Sequence, residues 1–393
     1  MAETHSVVDL SHFDEEDVCD YRFGGYHPVR LGDIYNNRYK VVRKLGYGQN
    51  STVWLALDLH LNRHVALKIL TSRCYGGKKE VYELAILQRI TNSDVKHPGW
   101  KHVLGLLDSF VHTGPNGDHV CLANEMMLGN LHELSFRFGP RRQLPVRLVK
   151  EVSRQMLSGL QYLHETCGVI HSDLKPANIL ISIKGLDVES VIRKHLENNH
   201  PMVFRPDYLI ISDALQLTLP GSPSDFLFKI ADFGNSSWVD NHLMELIQPV
   251  NLRAPEVIIG AKWDTSTDIW NIGCVIFELL QGRPLFRGRT DEGLGWTVNE
   301  DRLALMMDLF GPLPKDLLQE GKVSSRYFDD NGNLSSIRPI SNEFSLERVV
   351  KLWNPGLSEK TALGFVEFLK PMLEYRPKDR RTARQMLDGA WLQ

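Results

Sequence analysis

Ten consecutive residues, His171-Ser172-Asp173-Leu174-Lys175-Pro176-Ala177-Asn178-Ile179-Leu180, place an acid, a base two positions on and an amide five positions on between apolar flanks. Phosphoryl transfer asks for those parts. A carboxylate accepts the proton of the attacking hydroxyl, a cation steadies the transferring group, and an amide oxygen sits on a metal. A second acid, Asp232, stands in Ile230-Ala231-Asp232-Phe233-Gly234, placed to coordinate Mg²⁺ at the end of a strand. Upstream, Gly46-Tyr47-Gly48-Gln49-Asn50-Ser51-Thr52-Val53 lies between two strand-like runs. Gly46 and Gly48 would let backbone N–H groups approach a phosphate with no Cβ in the way, although such a pair also suits a plain hairpin. Lys68 interrupts the apolar run Val65-Ala66-Leu67. It is either an edge lysine reaching for solvent or a buried cation for a polyphosphate. The second reading needs a carboxylate partner, for which Glu83 is the candidate and Glu80, one helical turn earlier, the alternative.

The elements that must carry these groups follow from periodicity. Residues 39–45, 52–57 and 64–70 read as strands. Lys79 to Ile90 reads as a helix with Tyr82, Ala85, Ile86 and Ile90 on its apolar face. Beyond about residue 130 the pattern turns helical. Val146 to His164 is amphipathic, and Asp268 to Leu280 is apolar nearly all round, the mark of a buried helix. Residues 183–225 look like an insertion between two short strands, with a helix-like run from Val188 to Glu197 and an apolar patch over Tyr208-Leu209-Ile210-Ile211. Residues 1–38 read as an extension that packs only near its end.

Composition bounds the remaining possibilities. The chain has 393 residues, 42% hydrophobic and 24% charged, with a net charge of −3. That is ample for a core, and it excludes a wholly disordered or collagen-like chain. The near-neutral balance argues against direct nucleic-acid binding. Five widely spaced cysteines without a Cys-x-x-Cys argue against a zinc site or a disulfide framework. The first 20 residues hold seven acids and no Lys or Arg, the reverse of a signal or transit peptide. The most apolar stretch is too short to span a bilayer. A monomer of the cytosol, the nucleus or both, without membrane contact, is the expectation.

Taken in order, the glycine loop, strand lysine, His-x-Asp loop, Asp-Phe-Gly and Arg253-Ala254-Pro255-Glu256 resemble the eukaryotic protein kinases. The resemblance implies an α+β, bilobal fold: a small antiparallel-sheet lobe with one main helix (39–127) and a larger, mainly helical lobe (128–393). It implies ATP and Mg²⁺, with Gly46, Gly48, Val53, Ala66, Lys68, Glu83, Glu125 and Met127 on the nucleotide and Asn178 and Asp232 on the metal. Asp173 would be the base and Lys175 the cation at the transferred group. Asp268 would brace the catalytic loop, and Arg380 would pair with Glu256. Lys175 is similar to Ser/Thr rather than tyrosine kinases. Gly24-Gly25-Tyr26-His27-Pro28-Val29, Ser51-Thr52-Val53-Trp54-Leu55 and Asp232-Phe233-Gly234-Asn235-Ser236-Ser237-Trp238-Val239 resemble the SR-protein kinases, in the form of a divergent, fungal-type member. So does the insertion after the catalytic loop.

That narrower resemblance implies transfer to serine in Arg/Ser-rich proteins. Residues 291–330 hold nine acids and four bases. Glu300, Asp301 and Asp308 would form an acidic docking groove there, unless the run is only a solvated helix face. Ser172 replaces the arginine that usually holds an activation-loop phosphate, so no such phosphate should be needed. Asn124 would put a buried amide at the back of the adenine site, and Pro249 removes a threonine hydroxyl from beside the catalytic aspartate. Ser51 at the third position of the glycine loop, Asn124 and Pro249 motivate the rival reading of a pseudokinase scaffold.

Overall fold

The computed structural model describes residues 15–74, 82–204, 206–213, 215, 219, 221–290, 293, 295–335 and 344–393. They form two compact units. The first gathers three stretches of chain: up to Thr91, Leu104–Gly129 and Ser182–Leu219. Its sheet has β1 (Ile34–Tyr35), β2 (Tyr39–Gly48), β3 (Ser51–Asp58), β4 (Arg63–Leu70), β5 (Leu106–Gly114) and β6 (Gly117–Asn124), in the order β1-β2-β3-β4-β6-β5. All five pairings are antiparallel. Val41, Trp54, Ala56, Val65, Leu67 and Ile69 point to one core, as the two-residue alternation of a half-buried sheet requires.

One helix, α1 (Glu83–Thr91), belongs to this unit. Its buried face is Glu83, Ile86, Leu87 and Ile90, while Tyr82 and Ala85 are exposed. The apolar face expected from Tyr82 and Ala85 is therefore rotated, because the inward position is taken by a carboxylate that Lys68 holds. Residues 75–81, including Lys79 and Glu80, lie outside the described residues.

The N-terminal segment packs earlier than its composition suggested. Lys44 on β2 is 1% exposed, and its ammonium meets Glu15 at 2.7 Å and Glu16 at 2.5 Å. A buried ammonium is tolerated only with such partners. Glu15 also accepts from the Ser212 backbone, at 2.5 Å, in the insertion. The insertion is thus part of the first unit. Its helix, Val188–Asn198, lays Val188, Val191, Ile192 and Leu196 on Val42, Leu45 and Leu55. Ile210 from the apolar patch enters the sheet core.

The second unit holds most of the helix. Val146–Gln161 is α-helical and continues as a wider π turn over Tyr162–Cys167, which ends at Gly168 with φ of 69°. Ser266–Gln281 is buried at every position except Glu278, as its all-round apolar pattern demands. Among the described residues no helix is long and apolar enough to cross a membrane, and none of the five cysteines forms a disulfide.

Candidate active site

In the first unit the hairpin β2–β3 ends where Gly48 pairs with Ser51. A Cβ added at Gly46 would meet nothing within 4 Å, and at Gly48 only Ser51 Oγ at 4.0 Å. Open space over both glycines fits a ligand that approaches the backbone. Val53 lies opposite Lys68 across β3 and β4, and Ala66 lies opposite Asn124 across β4 and β6. Lys68 Nζ donates to Glu83 Oε1 at 2.6 Å, with Glu83 3% exposed. Glu125 Oε1 accepts from the Gly105 N–H at 3.3 Å, and Met127 is buried. Asn124 is buried too, and among the described residues its Oδ1 has no hydrogen-bond partner.

In the second unit the strand pair Val169–Ile170 with Ser237–Trp238 brings the two acidic motifs together. Asp268, fully buried, accepts from the backbone N–H groups of His171 (2.8 Å) and Ser172 (2.9 Å) and bonds His164 Nε2 (2.8 Å). Burial pushes the Asp268 carboxyl up, but the bonds from His164 and His171 outweigh it and hold it below the usual carboxylate range. The catalytic loop is thereby hung on one permanent anion. Ser172 takes φ of 60° and Asp232 φ of 66°, left-handed conformations that cost non-glycine residues roughly 1–3 kcal/mol and gather at working sites.

Asp173 Oδ2 receives three donors: Lys175 Nζ at 3.0 Å, Asn178 Nδ2 at 3.2 Å and Asn235 Nδ2 at 3.2 Å. Among the described residues Oδ1 receives none. Asn178 Nδ2 also donates to the Asp173 carbonyl at 2.9 Å, so the amide orientation is fixed and its oxygen is the atom offered to a cation. With the Asp232 carboxylate this makes a hard, all-oxygen donor set of the kind Mg²⁺ prefers. Among the described residues no three His, Cys, Asp or Glu side chains could hold a metal. A cation here would complete its shell with phosphate oxygens and water.

Two further residues of this site have no role that the motifs assign, although Asn235 lies within the run from Asp232 to Val239. Asn235 follows Asp-Phe-Gly and reaches back to Asp173, and its carbonyl accepts from Ser172 Oγ at 2.5 Å. Gln248, at φ of 73°, donates its N–H to the Ser172 carbonyl (2.9 Å) and Nε2 to the Thr267 carbonyl (2.8 Å), and accepts from the Ala254 N–H (2.8 Å). Pro249 merely opens a short turn at φ of −58°. Asp173 is held instead by the Asn235 amide, at 3.2 Å. Arg380 donates two parallel hydrogen bonds to the buried Glu256 carboxylate, at 2.6 Å each. Of the acidic run, Glu300 is spent capping its own helix on Thr297 (2.6 Å), Asp301 accepts from the Arg289 N–H (2.9 Å), and Asp308 is buried. Asp291 and Glu292 lie outside the described residues.

The protein kinase domain family matches residues 39–392, and the chain belongs to that family. It is a serine/threonine protein kinase of the SRPK type. The serine/threonine-protein kinase SRPK of Physarum polycephalum is 36% identical, covering 98% of this chain and 92% of the relative. The protein kinase dsk1 of Schizosaccharomyces pombe is 33% identical over 98% and 86%. The human SRSF protein kinase 3 is 28% identical over 96% and 90%. Kinases of this family use ATP and Mg²⁺ in general.

Proposed function

We propose that this kinase transfers the γ-phosphoryl group of ATP to serine in Arg/Ser-rich proteins and does so without activation-loop phosphorylation. The observation that carries the chemistry is the asymmetry of Asp173. Lys175, Asn178 and Asn235 all load Oδ2, which leaves Oδ1 to take the proton of a substrate hydroxyl. Lys175 then stands beside the transferring group. Asn178 and Asp232 hold Mg²⁺, which when bound neutralises charge on the phosphates. In the first unit Gly46 and Gly48 admit the phosphates, Lys68 is aimed by Glu83, and Val53, Ala66, Glu125 and Met127 hold the base. This intact set disfavours the pseudokinase reading.

Ser172 supports independence from phosphorylation. Its hydroxyl holds the carbonyl of Asn235, and its own carbonyl holds the N–H of Gln248. Both ends of the activation segment are therefore tied to one residue by neutral bonds, where an arginine would need a phosphate to grip. The substrate class is supported by the name of the human relative and by the acidic run. With Glu300 committed to its cap and Asp308 buried, Asp301 is the acid of this set left to meet an Arg/Ser segment.

Phosphatase-treated enzyme should transfer radiolabel from ATP to an Arg/Ser peptide, and Asp173→Asn should lower the rate about 10²–10⁴-fold. Asp301→Ala should raise KM for that peptide and weaken its salt dependence. Loss of transfer on phosphatase treatment, or equal KM for Arg/Ser and neutral serine peptides, would sink the reading.

A further inference from the structure

The turn Gln49-Asn50 at the end of the β2–β3 hairpin is held from outside the hairpin. The Gly48 carbonyl accepts from Tyr26 Oη at 2.8 Å. The Gln49 carbonyl accepts from Arg73 Nη2 at 2.7 Å, and the same nitrogen lies 3.1 Å from Asn50 Oδ1. The Asn50 carbonyl accepts from the Thr71 N–H at 2.9 Å. Three successive carbonyls are thus tied down. In a planar trans peptide the N–H of the next residue points opposite to the carbonyl. Fixing the carbonyls of Gly48 and Gln49 therefore sets the directions of the Gln49 and Asn50 N–H groups. Among the described residues neither of those N–H groups meets a protein acceptor. Successive free N–H groups held in one turn make a nest for an anion.

Both anchors are themselves secured. Tyr26 is 5% exposed, its N–H donates to the Asp20 carbonyl at 3.0 Å, and the Arg73 N–H donates to the Gly24 carbonyl at 2.9 Å. Arg73 has no carboxylate partner among the described residues, so its charge adds to the field at the turn. We infer that Tyr26 and Arg73 are positioning residues that pre-set the glycine turn for phosphate. The N-terminal segment is then part of the nucleotide apparatus. This rests on the assignment of ATP to Gly46 and Gly48.

The test measures binding of Mg·ATP and of adenosine by the full chain, with steady-state kinetics beside them. Tyr26→Phe removes one hydroxyl from a residue that otherwise packs unchanged. It should weaken Mg·ATP about three- to tenfold, the scale of one hydrogen bond, raise KM for ATP in step and leave kcat within about twofold. Arg73→Met should weaken Mg·ATP by at least as much, and Arg73→Lys should recover part of the loss. Adenosine, which has no phosphate, should bind all forms alike, and the thermal midpoint should hold. Equal weakening of ATP and adenosine, or a fall in midpoint with unchanged ATP affinity, would reduce both residues to packing and overturn the inference. A wild-type chain that binds no Mg·ATP would instead overturn the nucleotide assignment itself.

Discussion

Each unit contains one decisive ion pair, and the two are built differently. In the second unit Arg380 and Glu256 are 0% exposed, joined by two bonds of 2.6 Å. The same guanidinium also donates to the carbonyls of Glu374 and Tyr375, at 2.7 and 3.1 Å. In the first unit Lys68 meets Glu83 at 2.6 Å and is 14% exposed. A planar fork saturated with partners is a brace. An ammonium on a flexible stem is a point charge that can serve a phosphate while its carboxylate aims it. Equal distances thus mark unequal roles, and burial with donor geometry tells them apart.

That contrast can be broken by experiment. Lys68→Met should cut phosphoryl transfer by about 10²–10³-fold with little change in the thermal midpoint. A large loss of stability would make Lys68 a brace after all. Arg380→Met should instead cost about 3–5 kcal/mol of unfolding free energy, because Glu256 is left charged and buried. Denaturant titration reads this directly, and a loss below about 1 kcal/mol would refute it.

Acid should separate the units as well. Burial, with His112, His119 and Arg30 nearby, lowers His27 to about 3. The native state refuses a proton that the unfolded chain accepts near pH 6.5. Stability of the first unit is therefore full above that value and falls by about 1.4 kcal/mol per pH unit below it. In the second unit Asp268 stays ionised to below the usual carboxylate range, so its contribution is lost only at lower pH. Hydrogen exchange from pH 7 to 4 should open the first unit first, and His27→Gln should flatten that slope. The smallest effect belongs to Asn124. Its buried amide oxygen has no partner among the described residues, and replacing Asn124 with leucine should stabilise the first unit by about 1 kcal/mol in thermal unfolding, within the desolvation penalty of such a group.

The motif residues were legible because their chemistry is local. A carboxylate, a lysine and an asparagine within six positions, or an Asp-Phe-Gly at a strand end, announce themselves. The strands and the buried helix Ser266–Gln281 were legible from periodicity. What sequence did not show is whatever depends on distant chain meeting in space. Asn235 is an ordinary amide until it lies 3.2 Å from Asp173. Gln248 matters through a left-handed backbone that its residue type does not announce. Glu83 is legible as the partner of Lys68, but its pull on the helix is not: periodicity alone does not tell that Tyr82 and Ala85 turn outward when Glu83 turns in. Glu300 looked like a docking acid and is a helix cap, a use that Thr297 three positions earlier could have signalled.

The first unit is assembled from three separate stretches, the last ending at Leu219. During synthesis its sheet strands emerge long before the insertion that covers Val42, Leu45 and Leu55. At about 5–20 residues per second, the strand-rich unit must wait roughly 5–19 seconds with an apolar surface uncovered, while chain destined for the second unit passes through. Non-local closure of this kind is slow. The nascent chain is therefore a natural client for a chaperone between the appearance of β6 and that of residue 219, and shortening the insertion would be felt first as a loss of soluble yield.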